Sequence, residues 1–182
     1  MSNIVHQHCY FTMAKILFLD LDGTVRRTKS GETFINDPYD QEIIPGVEEV
    51  IARYPGWDII GITNQGGVLA GHKSLDDCIE EQYQTLKLMP RMEMILFCTD
   101  DGTTMHRITR KALGHGVPTV IPNPRQFGNF RKPNTGMVGF GLGYFGWTPS
   151  EVLMVGDRPE DEQCAISANI PFMWASLWRK DE

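Results

Sequence analysis

Short runs of apolar residues recur along the chain, and each run ends in a polar residue. Ile, Leu and Val dominate these runs, which is typical of strands buried on both faces of a parallel sheet. The pattern predicts strands at residues 15–20, 57–63, 92–100, 151–157 and 170–175.

Helical patterns lie between these runs. One covers residues 47–54 and begins just after a proline, which forfeits no hydrogen bond in the first turn of a helix. A second covers 74–89 and opens with Ser74 and, three residues later, Asp77, a capping-box pattern. A third covers 159–169 and has three acidic residues in its first turn, where the helix dipole favours them.

A fourth helix is predicted after residues 131–137, although the segment is rich in glycine. Five glycines lie between residues 136 and 146, and each weakens a helix by up to about 1 kcal/mol relative to alanine. We therefore expect either local mobility or close backbone packing there. The segment GLGYFG (141–146) also matches GxGxxG, but no strand precedes it, so a dinucleotide-binding loop is not predicted.

Strands that alternate with helices predict an α/β protein, a three-layer α/β/α sandwich with a mostly parallel, Rossmann-like sheet. A chain of 182 residues fits a single domain, which we expect to cover residues 13–182. Residues 1–12 are then either an extension of the folded unit or an ordinary N-terminal arm.

Polar side chains stand where three of the predicted strands end, at Asp20, Thr63 and Asp157. Ligands of open α/β sheets bind outside the carboxyl ends of the strands. Asp20 and Asp157 could share a divalent cation, which neutralises carboxylates that otherwise repel, and a few oxygen ligands completed by water and phosphate suit Mg²⁺. A carboxylate is also a competent nucleophile toward phosphorus, and Asp22 could protonate the leaving oxygen and later deprotonate water.

Neighbouring positions could hold the phosphate itself. Gly23 lets the chain turn sharply, so that backbone N–H groups can face an anion. Thr63 and the backbone of Asn64 could hydrogen-bond the transferring group, and a lysine could balance its charge. The segment DDGTTM (100–105) imitates DLDGT but lacks its DxD spacing, and it is predicted to be a turn.

Four segments, in this order, resemble the signature motifs of the haloacid dehalogenase (HAD) superfamily of aspartate-nucleophile phosphohydrolases. They are DLDGT (20–24), ITNQGG (62–67), RKPNTGM (131–137) and VGDRPED (155–161). The first motif alone is moderately specific, whereas the four together are a strong signal. The resemblance implies an Mg²⁺-dependent phosphatase that forms an aspartyl-phosphate intermediate.

The resemblance also implies a role for each matching residue. Asp20 would be the nucleophile and a metal ligand. Asp22 would be the general acid/base and would bind the metal through its backbone carbonyl. Thr63 and Asn64 would hold the phosphate, and Lys132 would neutralise charge on the nucleophile and the phosphoryl oxygens.

The fourth motif supplies the remaining acids. Asp157 would complete the metal site, and Asp161 would orient Lys132 or a metal-bound water. The intervals between Asp22 and Thr63 and between Thr63 and Lys132 have no room for a large cap domain, so a capless member with an open active site is expected.

The chain resembles two groups of capless phosphatases, which differ in substrate. Histidinol phosphatase and heptose-bisphosphate phosphatase share the RKPxxGM form of the third motif, but they typically carry a zinc loop of three cysteines and a histidine, of which only Cys98 is found here. The phosphatase domain of polynucleotide kinase 3′-phosphatase resembles residues 20–40 in its Thr-x-Ser-Gly segment. The expected substrate is therefore a nucleic-acid 3′ end, with a sugar phosphate or histidinol phosphate as the alternative. A catalytically idle module that binds a phosphorylated ligand is less favoured, because every catalytic motif residue is present.

The charge distribution bears on this choice. The net charge of −6 argues weakly against a nucleic-acid partner, yet residues 102–150 contain no Asp or Glu. The six basic residues of that stretch are Arg107, Arg110, Lys111, Arg125, Arg131 and Lys132. Such asymmetry suggests that one face meets an anion, and the alternative is a solvated basic surface.

Basic residues also follow the catalytic strand. Arg26, Arg27 and Lys29 lie just beyond Asp22, and we expect them, with Arg131, to flank the active-site mouth and bind substrate phosphates. Phe127 and Phe130 could stack on a terminal base, although packing within a loop is the commoner role of such residues.

The amino-acid composition is ordinary for a globular protein. No apolar run approaches the roughly 20 residues that a membrane helix needs, and residues 1–12 lack the features of a secretion signal. The four cysteines form no CxxC pair, and Cys98 with His106 offers only two zinc ligands. Reduced thiols in a cytoplasmic protein are predicted, with no membrane partner and a monomeric state.

Overall fold

The computed structural model describes residues 14–112, 118–122, 126–146 and 149–180. The predicted N-terminal extension at 1–12 and the side chain of Arg125 lie outside these ranges.

A seven-stranded sheet forms the centre of the described structure, and a separate two-stranded sheet lies beside it. In chain order the strands are β1 (Lys15–Leu19), β2 (Arg26–Arg27), β3 (Glu42–Ile43), β4 (Asp58–Asn64), β5 (Met92–Cys98), β6 (Thr104–Thr109), β7 (Thr119–Pro122), β8 (Glu151–Gly156) and β9 (Phe172–Trp174). The large sheet has the order β7-β6-β5-β4-β1-β8-β9, and β2 pairs with β3. All five strands predicted from apolar runs are confirmed.

The register of the central strands brings three strand ends to one edge. β1 pairs in parallel with both β4 and β8, so that Leu19 lies opposite Gly61 on one side and Val155 on the other. The backbone N–H of Asp20 continues this pattern and donates to the carbonyl of Val155 at 2.9 Å. The residues that follow β1, β4 and β8 therefore meet at the carboxyl edge of the sheet.

Helices cover both faces of the sheet. They are α1 (Val47–Ile51), α2 (Gly66–Leu69), α3 (Leu75–Leu88), α4 (Gly136–Tyr144), α5 (Pro159–Ser167) and α6 (Ala175–Arg179). Side chains of β1 alternate between two buried clusters, as strand geometry requires. Leu17 and Leu19 pack with α1, α3 and α6, whereas Ile16 and Phe18 pack with α4 and α5. This arrangement is the predicted three-layer sandwich.

The predicted helix signals are also present. Ser74 caps α3, and its hydroxyl accepts from the backbone N–H of Asp77 at 3.0 Å. The glycine-rich α4 packs closely rather than loosely: a Cβ on Gly141 would lie 2.6 Å from the ring of Phe18. Close backbone packing is therefore the explanation for at least this glycine.

The acid-free stretch contains two strands that the apolar runs do not predict. Its residues form β6 and β7, which add antiparallel strands to the edge of the sheet next to β5. The interval between Asp22 and Thr63 holds the β2–β3 pair and α1, and no separate cap domain occurs in the described part of the chain.

The apolar character of the helices and the state of the cysteines can also be compared with the sequence. Within the described ranges, no helix combines the length and apolar character needed to cross a membrane. Cys78, Cys98 and Cys164 are buried free thiols.

Candidate active site

Three carboxylates converge at the carboxyl edge of the sheet. Asp20 follows β1, Asp157 follows β8, and Asp161 lies in the first turn of α5. One ligand oxygen from each of them lies within 4.8 Å of the others. Asp20 and Asp161 are buried, and Asp157 is exposed. The predicted grouping of acids from distant segments is therefore present.

Lys132 lies between two of these acids. Its Nζ donates to Oδ1 of Asp20 at 2.6 Å, lies 2.6 Å from Oδ1 of Asp161, and donates to the carbonyl of Ile62 at 3.0 Å. Burial by itself would lower the pKa of Lys132, but the Asp20 and Asp161 carboxylates raise it above its ordinary value. The buried ammonium is therefore charged and all three of its donors are used.

The acids carry more negative charge than Lys132 can balance. Burial raises the pKa of Asp20 to about 7 in spite of the opposing pull of Lys132. Partial desolvation, together with the neighbouring Asp161 carboxylate, also raises the pKa of Asp157. A site of clustered carboxylate oxygens with raised pKa values fits a hard divalent cation, which would stabilise the ionised forms.

A glycine is required at position 23 because the backbone there passes close to Asp157. Its φ of +86° lies in the left-handed region, and a Cβ there would overlap the carboxylate of Asp157. Glycine therefore lets the first-motif loop pass directly beside the acid that follows β8.

The second motif supplies polar groups from the end of β4. Thr63 is buried, and its hydroxyl accepts from Nε2 of Gln65 at 3.1 Å. The side chain of Asn64 binds the backbone of Lys132 on both sides, with Oδ1 accepting from its N–H at 3.0 Å and Nδ2 donating to its carbonyl at 2.9 Å. Asn64 thus holds Lys132 in place with its side chain.

Asp22 is held by two neighbours. Oδ1 accepts from Nε of Arg26 at 2.8 Å, and Oδ2 accepts from Nε2 of Gln65 at 2.9 Å. Partial desolvation tends to raise the pKa of Asp22, but Arg26, Lys73 and the hydrogen bond from Gln65 lower it below the ordinary value. The carboxylate is therefore fixed in orientation by two donors.

The expected role of Arg26 as a surface phosphate ligand is wrong. Arg26 is fully buried, because its guanidinium pairs with Asp22 and with Glu81. Its neighbours on the chain are exposed but partly engaged. Arg27 pairs with Glu42 at 2.8 Å, and Nζ of Lys29 donates to the carbonyl of Tyr39 at 2.9 Å.

Arg131 lies beside the second motif. A Cβ on Gly66 would lie 3.0 Å from its guanidinium, which also donates to the carbonyl of Asp100 at 3.4 Å. Among the ion pairs of the described ranges, none involves Arg131. It is therefore the best placed of the predicted basic residues to meet an anionic substrate.

Other sequence candidates occupy ordinary structural roles. Phe130 is fully buried and does not offer a stacking surface. Asp100 forms the predicted turn, with Oδ1 accepting from the backbone N–H of Gly102 at 2.8 Å. Nε2 of His106 contacts Thr99 rather than Cys98.

Sequence reasoning missed two groups that contact the site. Gln65 bridges Asp22 and Thr63, and its place inside the second motif was the available signal. Glu81 is buried behind Arg26, and nothing near it in the sequence identifies it.

The chain is similar in sequence to a known family and to known proteins. The model of the family described as polynucleotide kinase 3 phosphatase matches residues 15–158. The chain is 28% identical over 158 residues to the D-glycero-alpha-D-manno-heptose-1,7-bisphosphate 7-phosphatase of Photorhabdus laumondii, covering 86% of this chain and 79% of that protein. It is 26% identical over 165 residues to the D-glycero-beta-D-manno-heptose-1,7-bisphosphate 7-phosphatase of Escherichia coli K12, covering 85% and 74%.

A solved structure shares the fold. The D,D-heptose 1,7-bisphosphate phosphatase of B. bronchiseptica, complexed with magnesium and phosphate, superimposes with a TM-score of 0.59 at 24% identity. The match covers 87% of this chain and 78% of that one.

Proposed function

Because the chain belongs to the polynucleotide kinase 3 phosphatase family and is a phosphatase of the HAD superfamily, we propose that it hydrolyses phosphate monoesters through a phosphorylated Asp20. The observation that carries this proposal is the position of Lys132 between Asp20 and Asp161, with the Asp157 carboxylate alongside. A buried nucleophile held by a charged lysine beside a cluster of oxygen ligands suits phosphoryl transfer.

The proposed reaction has two steps. First, a carboxylate oxygen of Asp20 bonds to phosphorus and the bond from phosphorus to the leaving oxygen breaks, while a proton carried by Asp22 passes to that oxygen. Water then attacks phosphorus, Asp22 takes a proton from it, and inorganic phosphate leaves with Asp20 restored. Lys132 would offset negative charge first on Asp20 and then on the phosphoryl oxygens, and Thr63 with the Asn64 backbone would donate to those oxygens.

Asp20 and Asp157, with the backbone carbonyl of Asp22, are the proposed ligands of Mg²⁺. Asp161 lies beside them and holds Lys132 at 2.6 Å. When bound, the cation would neutralise the clustered carboxylates and the charge of the incoming phosphate.

A small phosphorylated sugar is the substrate class that the site favours. The curated relatives named above are heptose-bisphosphate phosphatases. The basic residues expected to bind a polynucleotide are engaged within the protein: Arg26 is buried, and Arg27 and Lys29 have partners. Arg131, which has no ion pair in the described ranges, could bind a second phosphate or a sugar hydroxyl.

A polynucleotide 3′-phosphate is the second candidate. The family match favours it, as does the absence of a cap domain among the described residues, because an open site admits a bulky end. The predicted contacts to neighbouring phosphates would make its hydrolysis salt-sensitive.

The test is phosphate release with Mg²⁺ from p-nitrophenyl phosphate, sugar bisphosphates, and oligonucleotides bearing a 3′- or 5′-phosphate. Asp20→Asn should abolish turnover of every substrate while the fold survives. Unchanged turnover in that variant would exclude Asp20 as the nucleophile. A preference for sugar phosphates that persists at high salt would favour the first candidate over the second.

A further inference from the structure

A buried polar network lies directly behind Asp22. The Arg26 guanidinium is inaccessible to solvent, and it contacts protein acceptors through all three of its nitrogens. Nε binds Asp22 at 2.8 Å, and the two terminal nitrogens contact Glu81 and Thr85. Gln41 binds the Thr85 hydroxyl at 2.7 Å and completes the network.

The charges in this network alternate in sign. Asp22 pairs with Arg26, Arg26 pairs with Glu81, and Glu81 pairs with Lys73. Nζ of Lys73 also donates to the carbonyl of Ile35 at 3.0 Å, which anchors the loop between β2 and β3. The four charges sum to zero, so each buried ion has a partner of opposite sign.

Stability alone does not account for such a network. Removing Arg26 and Glu81 from water is costly, and apolar side chains of similar volume can fill a core as well or better. Arg26 lies on β2 and Glu81 on α3, and both side chains are buried. Their alignment on Asp22 is the feature that apolar residues could not reproduce.

Asp22 needs such support because it faces the open site. Its side chain is 41% exposed, whereas the Arg26 side chain is 0% exposed. A carboxylate with that exposure can rotate among several rotamers, and proton transfer requires one orientation toward the leaving oxygen. The guanidinium fixes Oδ1, and Glu81 fixes the guanidinium from its other side.

We propose that Glu81 and Arg26 are positioning residues that hold the Asp22 carboxylate for proton transfer, with Glu81 on α3 acting through Arg26. The proposal rests on the function proposed above, in which Asp22 is the acid and the base. Its consequence is selective: loss of Glu81 should lower kcat/KM for esters whose leaving oxygen needs a proton and spare kcat/KM for esters whose leaving group departs without one.

The proposal can be tested with two phosphate esters whose leaving groups differ in acidity. Values of kcat/KM would be measured for p-nitrophenyl phosphate, whose leaving group departs without a proton, and for an alkyl phosphate such as glycerol 2-phosphate. Glu81→Gln should lower kcat/KM for the alkyl ester at least about tenfold more than for the aryl ester, since general acid catalysis contributes about 10²–10⁴-fold. Asp22→Asn supplies the reference pattern, in which the same selective loss is larger.

The second step gives an independent readout. With p-nitrophenyl phosphate, Glu81→Gln should show a burst of nitrophenolate close to one per enzyme, because water attack on phosphorylated Asp20 also needs Asp22. Glu80→Gln is the matched control, since Glu80 is the preceding residue on α3 and its side chain is 39% exposed. It should show neither the selective loss nor the burst.

Folding is checked by the thermal transition of each variant. If Glu81→Gln does not fold, the Lys73→Gln/Glu81→Gln double variant removes one charge of each sign and makes the same comparison, as does Arg26→Lys, which keeps the charge but loses the planar contact. Equal losses for the two esters, or no loss for either, would overturn the proposal. Turnover that persists in Asp20→Asn would instead reject the proposed function itself.

Discussion

The Nζ atom of Lys132 lies 2.6 Å from Oδ1 of Asp20, although 112 positions separate the two residues in the chain. The contact forms because the carboxyl ends of β1 and β4 are adjacent, and because Asn64 at the end of β4 binds the backbone of Lys132. One buried ammonium thereby contacts two buried carboxylates, Asp20 and Asp161. The third-motif lysine is thus part of the fold as well as part of the proposed chemistry.

Loss of Lys132 should destabilise the protein and stop catalysis. Lys132→Met leaves Asp20 and Asp161 as neighbouring buried carboxylates without a cation, which is expected to lower the free energy of unfolding by about 3–5 kcal/mol at pH 8 without Mg²⁺. Turnover of p-nitrophenyl phosphate should fall at least about 100-fold. Urea unfolding and steady-state assays measure the two effects.

Two further variants test whether loss of the positive charge causes the destabilisation. Adding Asp20→Asn to Lys132→Met should recover part of the lost stability, because one of the two uncompensated charges is gone. Lys132→Arg, which keeps a positive charge, should destabilise less than Lys132→Met. Equal unfolding free energies for the wild type and Lys132→Met would contradict the charge argument.

The pKa of Asp20 predicts how stability depends on pH. Burial raises that pKa to about 7, whereas an aspartate in an unfolded chain titrates near 4. Between about pH 4 and pH 7 the folded state therefore holds a proton that the unfolded state has released, so this group makes the free energy of unfolding fall as pH rises. In the absence of Mg²⁺, the stability of Asp20→Asn relative to wild type should increase across this interval, as urea titrations at several pH values would show.

Mg²⁺ should reverse this trend, since it competes with the proton for the same carboxylate. The increase in Tm produced by a fixed Mg²⁺ concentration should be larger at pH 8 than at pH 6. Ca²⁺-free and Mg²⁺-free samples treated with a chelator provide the baseline. An increase in Tm that does not change with pH, or is absent, would count against Asp20 as a ligand.

Features of the fold and of the site can be predicted from the sequence where residues close together in the chain determine them. Apolar runs marked every parallel strand, and the acids that end β1 and β8 were placed together correctly because parallel strands share one carboxyl edge. Ser74 was identified as a cap because its partner lies three residues away. These signals depend on neighbours in the chain.

The features that were missed depend on partners far away in the chain. Arg26 was predicted to be exposed because its sequence neighbours are basic, but its partner Glu81 lies 55 residues away on α3. The strand β6 carries polar residues on both sides of its apolar positions, and its place in the sheet comes from pairing with β5. Pairing and burial of this kind arise from tertiary contacts rather than from periodicity.

Gly23 should be essential for the metal site in a way that other left-handed glycines are not. Gly23→Ala adds a methyl group that overlaps the Asp157 carboxylate, at a φ of +86° that already strains an alanine. The displaced Asp157 should raise the Mg²⁺ concentration for half-maximal activity at least about tenfold. Gly31→Ala is the matched control, because Gly31 has a φ of +85° and nothing within 4 Å of an added Cβ. That variant should lose about 1–2 kcal/mol of stability and keep the wild-type Mg²⁺ dependence.

Two glycines of α4 should respond in opposite directions to alanine. At Gly139 an added Cβ would make an ordinary contact, 3.7 Å from the ring of Phe127, so Gly139→Ala should stabilise the protein by up to about 1 kcal/mol through helix propensity. At Gly141 the Cβ would lie 2.6 Å from the ring of Phe18 in β1, and the overpacking cost of about 1–3 kcal/mol should exceed the same gain. Thermal unfolding of the two variants should therefore give a higher Tm for Gly139→Ala and a lower one for Gly141→Ala than for the wild type. If both substitutions raised the Tm, α4 would not pack against β1 as closely as the structure places it.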